Sequence, residues 1–325
     1  MTNILIVGLG SVGRQYLAAA QVEKKNVFFY DPKVTQHETA HYYDIEKEIS
    51  NDLEFEKIIF CDYSFSRVEN YRKIKKLKCN TYIFEKLVTN SLDDIIFLRN
   101  EIKKNQEKHY LTHLKWNLLG LKQKLKKIAV ENKLGELVRL NIFGGNCCLA
   151  MGGAHWVGLY LELIEVSSLG KLKIASDIDL NYESPRSKEI PMLSGSISLK
   201  EERLPSFEIT FERKSHLAPT AIFIYTLGII ELSFDGSIRI SSISEAEELK
   251  VFQYKIAQHL KQEDYNISKG FDPFYAILQD KSSVELEIGL KVSEIYLAAL
   301  ENSYSYKSIE EVLQNASVKE PIKIT

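Results

Sequence analysis

The sequence has little cysteine, little net charge and no long apolar run, and each shortage excludes something. Four cysteines stand among 325 residues. Cys61, Cys79, Cys147 and Cys148 lack the paired spacing of zinc ligands, and the adjacent Cys147-Cys148 pair is poorly placed for an ordinary disulfide. They are expected to be reduced, mostly buried small hydrophobes. No stretch approaches the ~18 apolar residues of a spanning helix, and the first apolar run begins without a charged and apolar leader, so a cytoplasmic location with no membrane partner is expected. Lys and Arg number 42 against 44 Asp and Glu, a formal net charge of −2. That balance gives no electrostatic case for nucleic acid. Internal repeats and low-complexity linkers are lacking too. What is there is ordinary globular material, 45% hydrophobic and 26% charged, long enough for about two domains.

The opening stretch organises the rest. Ile4 to Val7 is a continuous aliphatic run, as expected of a strand buried on both faces. It runs into Gly8-Leu-Gly10-Ser-Val-Gly13, and Arg14 to Gln21 then reads as a helix. Gly8 suits a tight turn, Gly10 lets a pyrophosphate approach the backbone, and Gly13 lets helix and strand pack closely. Ser11 and Val12 open the helix, whose free N–H groups and positive end favour phosphate. Val27 to Tyr30 is a second apolar run, and Asp31 ends it. A carboxylate there can accept both ribose hydroxyls of an adenosine and repels a 2′-phosphate; Lys33 softens that preference without reversing it. Gly8, Gly10, Ser11, Val12, Gly13 and Asp31 are therefore the candidate cofactor-binding residues, and NAD is expected over NADP.

Strands alternate with helices through the first 115 residues. Ile58 to Cys61, Thr81 to Phe84 and Tyr110 to Leu114 read as strands. Val68 to Leu77 is a helix with a solvated lysine face, and Ser91 caps another that runs to Lys104. His37 to Ser50 is expected to hold a crossover and a short helix. The alternation predicts a parallel sheet with ligands at its carboxyl edge, a Rossmann domain over residues 1–115. Residues 116–325 have a different texture. Leu118 to Asn132 is an amphipathic helix, Leu137 to Phe143 a strand, Gly144-Gly145 a break, and Ala154 to Ser167 a helix. Six strands follow between Leu172 and Ile240, with a hairpin turn at Asp235-Gly236. A helix from Val284 to Asn302 and a short one over Ile309 to Gln314 end the pattern. The fold class expected is α/β: a Rossmann domain followed by an α+β substrate-binding and oligomerisation domain with an open, mostly antiparallel sheet.

With Glu85-Lys86 at the end of a strand and His155 after a glycine-rich turn, the chain resembles the glucose–fructose oxidoreductase and inositol dehydrogenase family (Gfo/Idh/MocA) over nearly its whole length. The family's Glu-Lys-Pro motif stands here as Glu85-Lys86-Leu87. Its Asp-x-x-x-His motif stands as Met151-Gly-Gly-Ala-His155, so Met151 replaces the aspartate. The loop that often reads Thr-Pro-x-x-x-His is Tyr63-Ser-Phe-Ser-Arg67-Val68. The resemblance implies hydride transfer between nicotinamide and a hydroxyl or ketone carbon of a sugar, sugar nucleotide or cyclitol. It makes Lys86 and His155 the catalytic candidates, with Glu85 and Lys86 also beside the cofactor. Lys86 can polarise a carbonyl or move a proton; His155 can orient the hydroxyl or act as acid and base. Lys115, Trp116 and Asn117 fall where relatives line the substrate pocket, and Tyr160 lies one turn beyond His155. A homodimer or homotetramer through the second domain's sheet is implied as well.

Blander readings weigh against some of these residues. A histidine beside Trp156 on an apolar helix is often a packed side chain. His109 and His113 would pair on a metal only on a helix; in a strand they stand about 13 Å apart, so no metal is expected. Arg213, Lys214 and His216 fit a solvated strand end. Glu162 and Glu165 lie about two and three turns beyond His155 on the same helix, too far to replace the missing aspartate. Loss of that aspartate also fits a second reading, a non-catalytic NAD-binding sensor or regulatory protein of the same fold.

Overall fold

Ile4, Leu5, Ile6 and Val7 are each fully shielded from solvent, because their strand is central in a parallel sheet covered on both faces. The structure is a computed structural model that describes residues 2–45, 47, 53–145, 148–165, 168–182, 192–242, 259–302 and 305–315. The first elements are β1 (Asn3–Val7), α1 (Ser11–Val22), β2 (Asn26–Tyr30), β3 (His41–Tyr42) and β4 (Glu54–Phe60). They are followed by α2 (Ser64–Ile74), β5 (Lys78–Glu85), α3 (Leu92–Lys104) and β6 (His109–His113). Among the described residues these strands make one all-parallel sheet in the order β3-β2-β1-β4-β5-β6. Strand order reverses between β1 and β4, and the cleft outside their carboxyl ends is where such sheets bind ligands.

The second half begins with α4 (Lys115–Leu118), α5 (Leu121–Glu131), β7 (Leu137–Gly145) and α6 (Leu149–Leu163). Then come β8 (Lys173–Tyr182), β9 (Met192–Lys200), β10 (Ser206–Glu212), β11 (Thr220–Tyr225), β12 (Gly228–Ser233), β13 (Ser237–Ser242) and β14 (His259–Asn266). The chain closes with α7 (Pro273–Leu278), α8 (Leu286–Glu301), β15 (Lys307–Ser308) and α9 (Ile309–Gln314). The second sheet runs β14-β13-β12-β11-β7-β10-β9-β8-β15, with β7 and β10 parallel and its other pairs antiparallel. Along β10, Phe207, Ile209 and Phe211 are buried and alternate with more exposed residues. That alternation marks one face turned to the core, where α6 and α8 lie. This is the α/β architecture expected. Among the described residues no helix is long and apolar enough to cross a membrane.

Several local expectations are corrected. The helix placed over Leu118 to Asn132 is broken in two, because Gly120 takes a left-handed φ of 65° between α4 and α5. Gly144 and Gly145 are not a break after β7 but its last two residues, paired with Phe211 and Glu212 of β10. A Cβ on Gly144 would stand 2.9 Å from Pro219 Cα, and one on Gly145 2.1 Å from Ser215 O. Glycine is needed there for a close crossing of backbones, not for a turn. Helix α6 starts at Leu149, five residues before the expected start, and residues 166 and 167 lie outside the described residues. Part of the 37–50 segment also lies outside them, and its described part holds the edge strand β3. Strand β14 and helix α7 have no counterpart among the sequence expectations. Of the cysteines, Cys79 and Cys148 are buried and Cys61 is partly exposed, and none of these three is in a disulfide; Cys147 lies outside the described residues.

Candidate active site

The glycine turn behaves as its residue types dictate. Gly8 has φ 95°, and a Cβ there would stand 2.6 Å from the Asp62 nitrogen. A Cβ on Gly13 would fall 1.9 Å from Gly8 O, so Gly13 is what lets α1 sit against the turn. Gly10 is different: a Cβ would meet nothing within 4 Å, which leaves open space above its backbone. Gly10 is also the N-cap of α1, and no side chain caps that helix or puts an acid in its first turn. Uncapped N–H groups beside open space suit an anion.

That space is part of a cavity of about 540 Å³ along the carboxyl edge of the parallel sheet, within the range of small-ligand sites. Gly8, Gly10, Ser11, Val12 and Asp31 line one end. Cys61, Asp62 and Arg67 from the loop and helix after β4 line the middle, with Glu85, Lys86, Ala150 and Met151 also on the wall. Asp31 is fixed by backbone: Leu9 N–H donates to Oδ2 at 2.8 Å, and Lys33 and Val34 N–H donate to Oδ1 at 2.8 and 3.2 Å. An ionised carboxylate has about four acceptor sites. With three in use, about one remains for a ribose hydroxyl, rather than a pair. The residues at this end fit a dinucleotide.

Around Lys86 a buried polar chain has formed. Lys86 Nζ lies 3.1 Å from Glu85 Oε2, and Glu85 Oε1 lies 3.2 Å from His113 Nδ1. The same Nδ1 is 2.6 Å from the hydroxyl of Tyr16 on α1. Burial pushes the Glu85 carboxyl up, but the cations Lys86 and Arg67 outweigh it and hold the group below its ordinary value. Glu85 is therefore an anion at neutral pH. Burial, opposed by Glu85, lowers His113. The buried Arg67 guanidinium closes the turn that carries Lys86: it donates to Glu85 O at 2.5 Å, to Leu87 O and to Asp62 O. Its Nε faces Asp62 Oδ1 at 3.5 Å.

The expected site residues divide sharply. Gly8, Gly10, Ser11, Val12, Asp31, Glu85 and Lys86 line the cavity, as does Met151. His155 lies one turn deeper on α6, partly buried, its ring centre 6.3 Å from that of His113. Its Nδ1 accepts the Lys115 backbone N–H at 3.1 Å. Burial, then Lys86, His113 and Lys115, hold its imidazole well below the usual value. Lys115, Trp116, Asn117 and Tyr160 are not among the cavity's walls, because α4 is a helix rather than a strand end and turns its side chains toward α6. Lys115 Nζ stacks 4.4 Å from the Trp116 ring centre. Trp116 packs on Trp156. Asn117 donates to Gly158 O and to Glu162 Oε2 at 3.1 and 2.8 Å. Tyr160 is buried and donates to Pro205 O at 2.7 Å. Glu162 is thus engaged, and Glu165 pairs with Lys122 at 2.7 Å, so neither replaces the missing aspartate. Arg213, Lys214 and His216 are exposed. Among the described residues no cluster of three or more His, Cys, Asp or Glu could hold a metal ion.

Sequence reasoning missed Tyr16, Arg67 and His113 as members of this site. His113 did carry a signal, its place at the carboxyl end of a parallel strand. Arg67 falls at a position the motif leaves open, one residue before Val68, which stands where the resemblance puts a histidine. Tyr16 gave none, since it reads as one more apolar position of α1.

No protein-family model matches the chain, and no curated protein matches its sequence. Solved structures match its fold. An NAD-binding protein from Listeria innocua aligns with a TM-score of 0.70 at 17% identity, over 97% of this chain and 99% of that one. An oxidoreductase from Agrobacterium radiobacter, in complex with NAD+, L-tartaric acid and magnesium, gives 0.69 at 15% identity, over 95% and 99%. The likeness is one of fold.

Proposed function

We propose that the chain is an NAD-dependent oxidoreductase of the Gfo/Idh/MocA kind, acting on a hydroxyl or ketone carbon of a sugar, sugar nucleotide or cyclitol. One observation carries the reading: a single cavity at the switch point of the parallel sheet joins the uncapped glycine turn and Asp31 to Lys86. Gly10 and the α1 N-terminus would hold the pyrophosphate, and Asp31 a ribose hydroxyl, which favours NAD over NADP. A nicotinamide coenzyme bound there supplies a hydride donor or acceptor. The chain's own residues do the rest. Lys86, paired with Glu85 at 3.1 Å, polarises a carbonyl oxygen, and Arg67 keeps the Lys86 turn in place. His155 orients the same oxygen from the α6 side. In this reading the protein works in the cytoplasm as a homodimer or homotetramer on a small carbohydrate, with no nucleic-acid or membrane partner.

The test is NADH formation or loss against a panel of cyclitols, sugars and sugar nucleotides, with NAD and NADP compared. Lys86→Met is expected to lower turnover by about 10²–10⁴-fold, the usual weight of a positioned acid or base, while NADH binding by fluorescence stays within a few-fold. The second reading, a sensor that binds NAD without turnover, is favoured by Met151 on the cavity wall in the aspartate's place. Tight NADH binding with no turnover across the panel would select it.

A further inference from the structure

We infer that Arg67 is a positioning residue that registers the Lys86 turn against the glycine turn, so that coenzyme bound at one end of the cavity firms the other. The inference rests on the proposed function, since it takes a coenzyme to lie on Gly8 to Gly13. It goes beyond that reading by making one guanidinium the link between the two ends.

Lys86 needs such a link because the sheet stops short of it. The last pair of β4 with β5 is Phe60 with Phe84, and the last of β5 with β6 is Glu85 with His113. The carbonyls on either side of Lys86 are taken by one nitrogen: Arg67 Nη1 donates to Glu85 O at 2.5 Å and to Leu87 O. That nitrogen has two hydrogens, and both are spent on this turn. The other end of the fork reaches back. Nη2 donates to Asp62 O, and Nε faces Asp62 Oδ1 at 3.5 Å.

Asp62 is itself fixed. Its Oδ2 accepts Ser66 Oγ at 3.0 Å and Asn70 Nδ2 at 2.8 Å. Its backbone is what crowds Gly8: a Cβ on that glycine would stand 2.6 Å from Asp62 N and 2.8 Å from Asp62 Cα. Gly8, Asp62, Arg67 and Lys86 all line the one cavity. The path from the glycine turn to the Lys86 turn is therefore one backbone contact and one guanidinium.

The shape of that cation matters more than its charge. A guanidinium is planar with donors at fixed angles, so the acceptors on Nη1 and Nη2 keep one mutual geometry. Arg67 is only 3% exposed, and carbonyls buried against it lose a hydrogen bond outright when the fork is removed. A lysine would keep a positive charge beside Glu85 but has a single nitrogen and no plane. Coenzyme lying on Gly8 and Asp62 restrains one acceptor of the fork, and the fork passes that restraint to the other two.

The main readout is amide hydrogen exchange of the full chain with and without saturating NADH, which needs no turnover. In the wild type NADH is expected to slow exchange severalfold from Gly8 to Gly13 and also from Lys86 to Val88. Arg67→Lys, at NADH concentrations that saturate it, is expected to keep the first protection and lose the second. With a turned-over substrate, the same variant should lose about 10²-fold in kcat, the weight of roughly an ångström of misplacement, while KM for NADH moves far less. Arg67→Ala leaves room for a free guanidinium ion, so dilute guanidinium chloride should restore part of the protection from Lys86 to Val88 where sodium chloride does not. Wild-type protection that stops at the glycine turn would overturn the inference, and so would full protection of both segments in Arg67→Lys. Exchange that quickens equally along the whole chain in Arg67→Lys would also overturn it, since the residue would then hold the fold and not this register. If NADH protects neither segment of the wild type, the coenzyme reading fails and this inference with it. Protection without turnover on any substrate selects the sensor reading, and the exchange data still decide the role of Arg67.

Discussion

His113 and His155 face each other at the base of the cleft, and burial keeps both neutral. That has a consequence for stability. In the unfolded chain a histidine takes up a proton near pH 6.5, whereas each of these rings in the folded chain binds its proton at lower pH. Between those values the unfolded state holds more protons, so stability is fully present above about pH 6.5 and falls as pH drops, by up to ~1.4 kcal/mol per pH unit for each ring. Urea midpoints should therefore decline between about pH 7 and about pH 5.5, before most carboxylates titrate. His155→Asn should flatten that slope, and a wild-type midpoint constant over the window would contradict the burial described here. The contact behind this behaviour was not legible in the sequence. Tyr16 and His113 are separated by 97 positions, and neither a helix period nor a strand period shows which distant side chain will meet which.

At the scale of elements, the β1–α1–β2 unit was legible because its determinants are local. A glycine that needs φ 95° and another that needs room for a backbone oxygen announce themselves in order along the chain. The same chemistry sets a paired prediction. Gly13→Ala places a methyl against Gly8 O and should cost about 1–3 kcal/mol as an overpacked contact, read as a lower urea midpoint. Gly10→Ala meets open space and should cost less than about 1 kcal/mol, the difference between glycine and alanine at an N-cap. Its methyl instead enters the proposed phosphate path, so NADH affinity should fall at least tenfold. Equal loss of stability in both variants would show that Gly10 is structural. Helix α7 was also locally signalled, by Asp272 as N-cap and Pro273 at the first helical position, yet its six residues carry too little periodicity to stand out. The parallel pairing of β7 with β10 had no local signal at all. It follows from where α6, β8 and β9 must pack between them.

Over the whole molecule, the chain does not simply pass from one sheet to the other, because the segment after β14 returns to the first. Helix α7 lies on α1, and α8 packs on α3 and β6, with Arg99 of α3 bridging Glu287 and Glu294 of α8. Phe274 is held edge-on to Tyr16 at 4.9 Å and 4.7 Å from His113, so α7 forms part of the wall behind the Glu85–Lys86 chain. What ties α7 down is Lys57 of β4, only 1% exposed, whose ammonium donates to Leu278 O at 2.8 Å, to Ile277 O at 3.4 Å and to Asp280 Oδ1 at 2.7 Å. The two sides of this pair are unequal. Asp280 is 69% exposed and can turn to water, so Asp280→Asn should cost less than about 1 kcal/mol. The two carbonyls are held at a buried ammonium, and Lys57→Met leaves them without that donor, at roughly 1–3 kcal/mol each when a buried group is orphaned. A total of about 2–6 kcal/mol is expected for Lys57→Met by urea denaturation. The loss should also be local before it is global: amide exchange should speed up over Ala276 to Lys281 while the amides of β1 keep their protection. Uniform acceleration along the chain would mean that α7 unfolds only with the parallel sheet. Local acceleration with weakened turnover would mean that the returning helix holds the wall behind Lys86 in place.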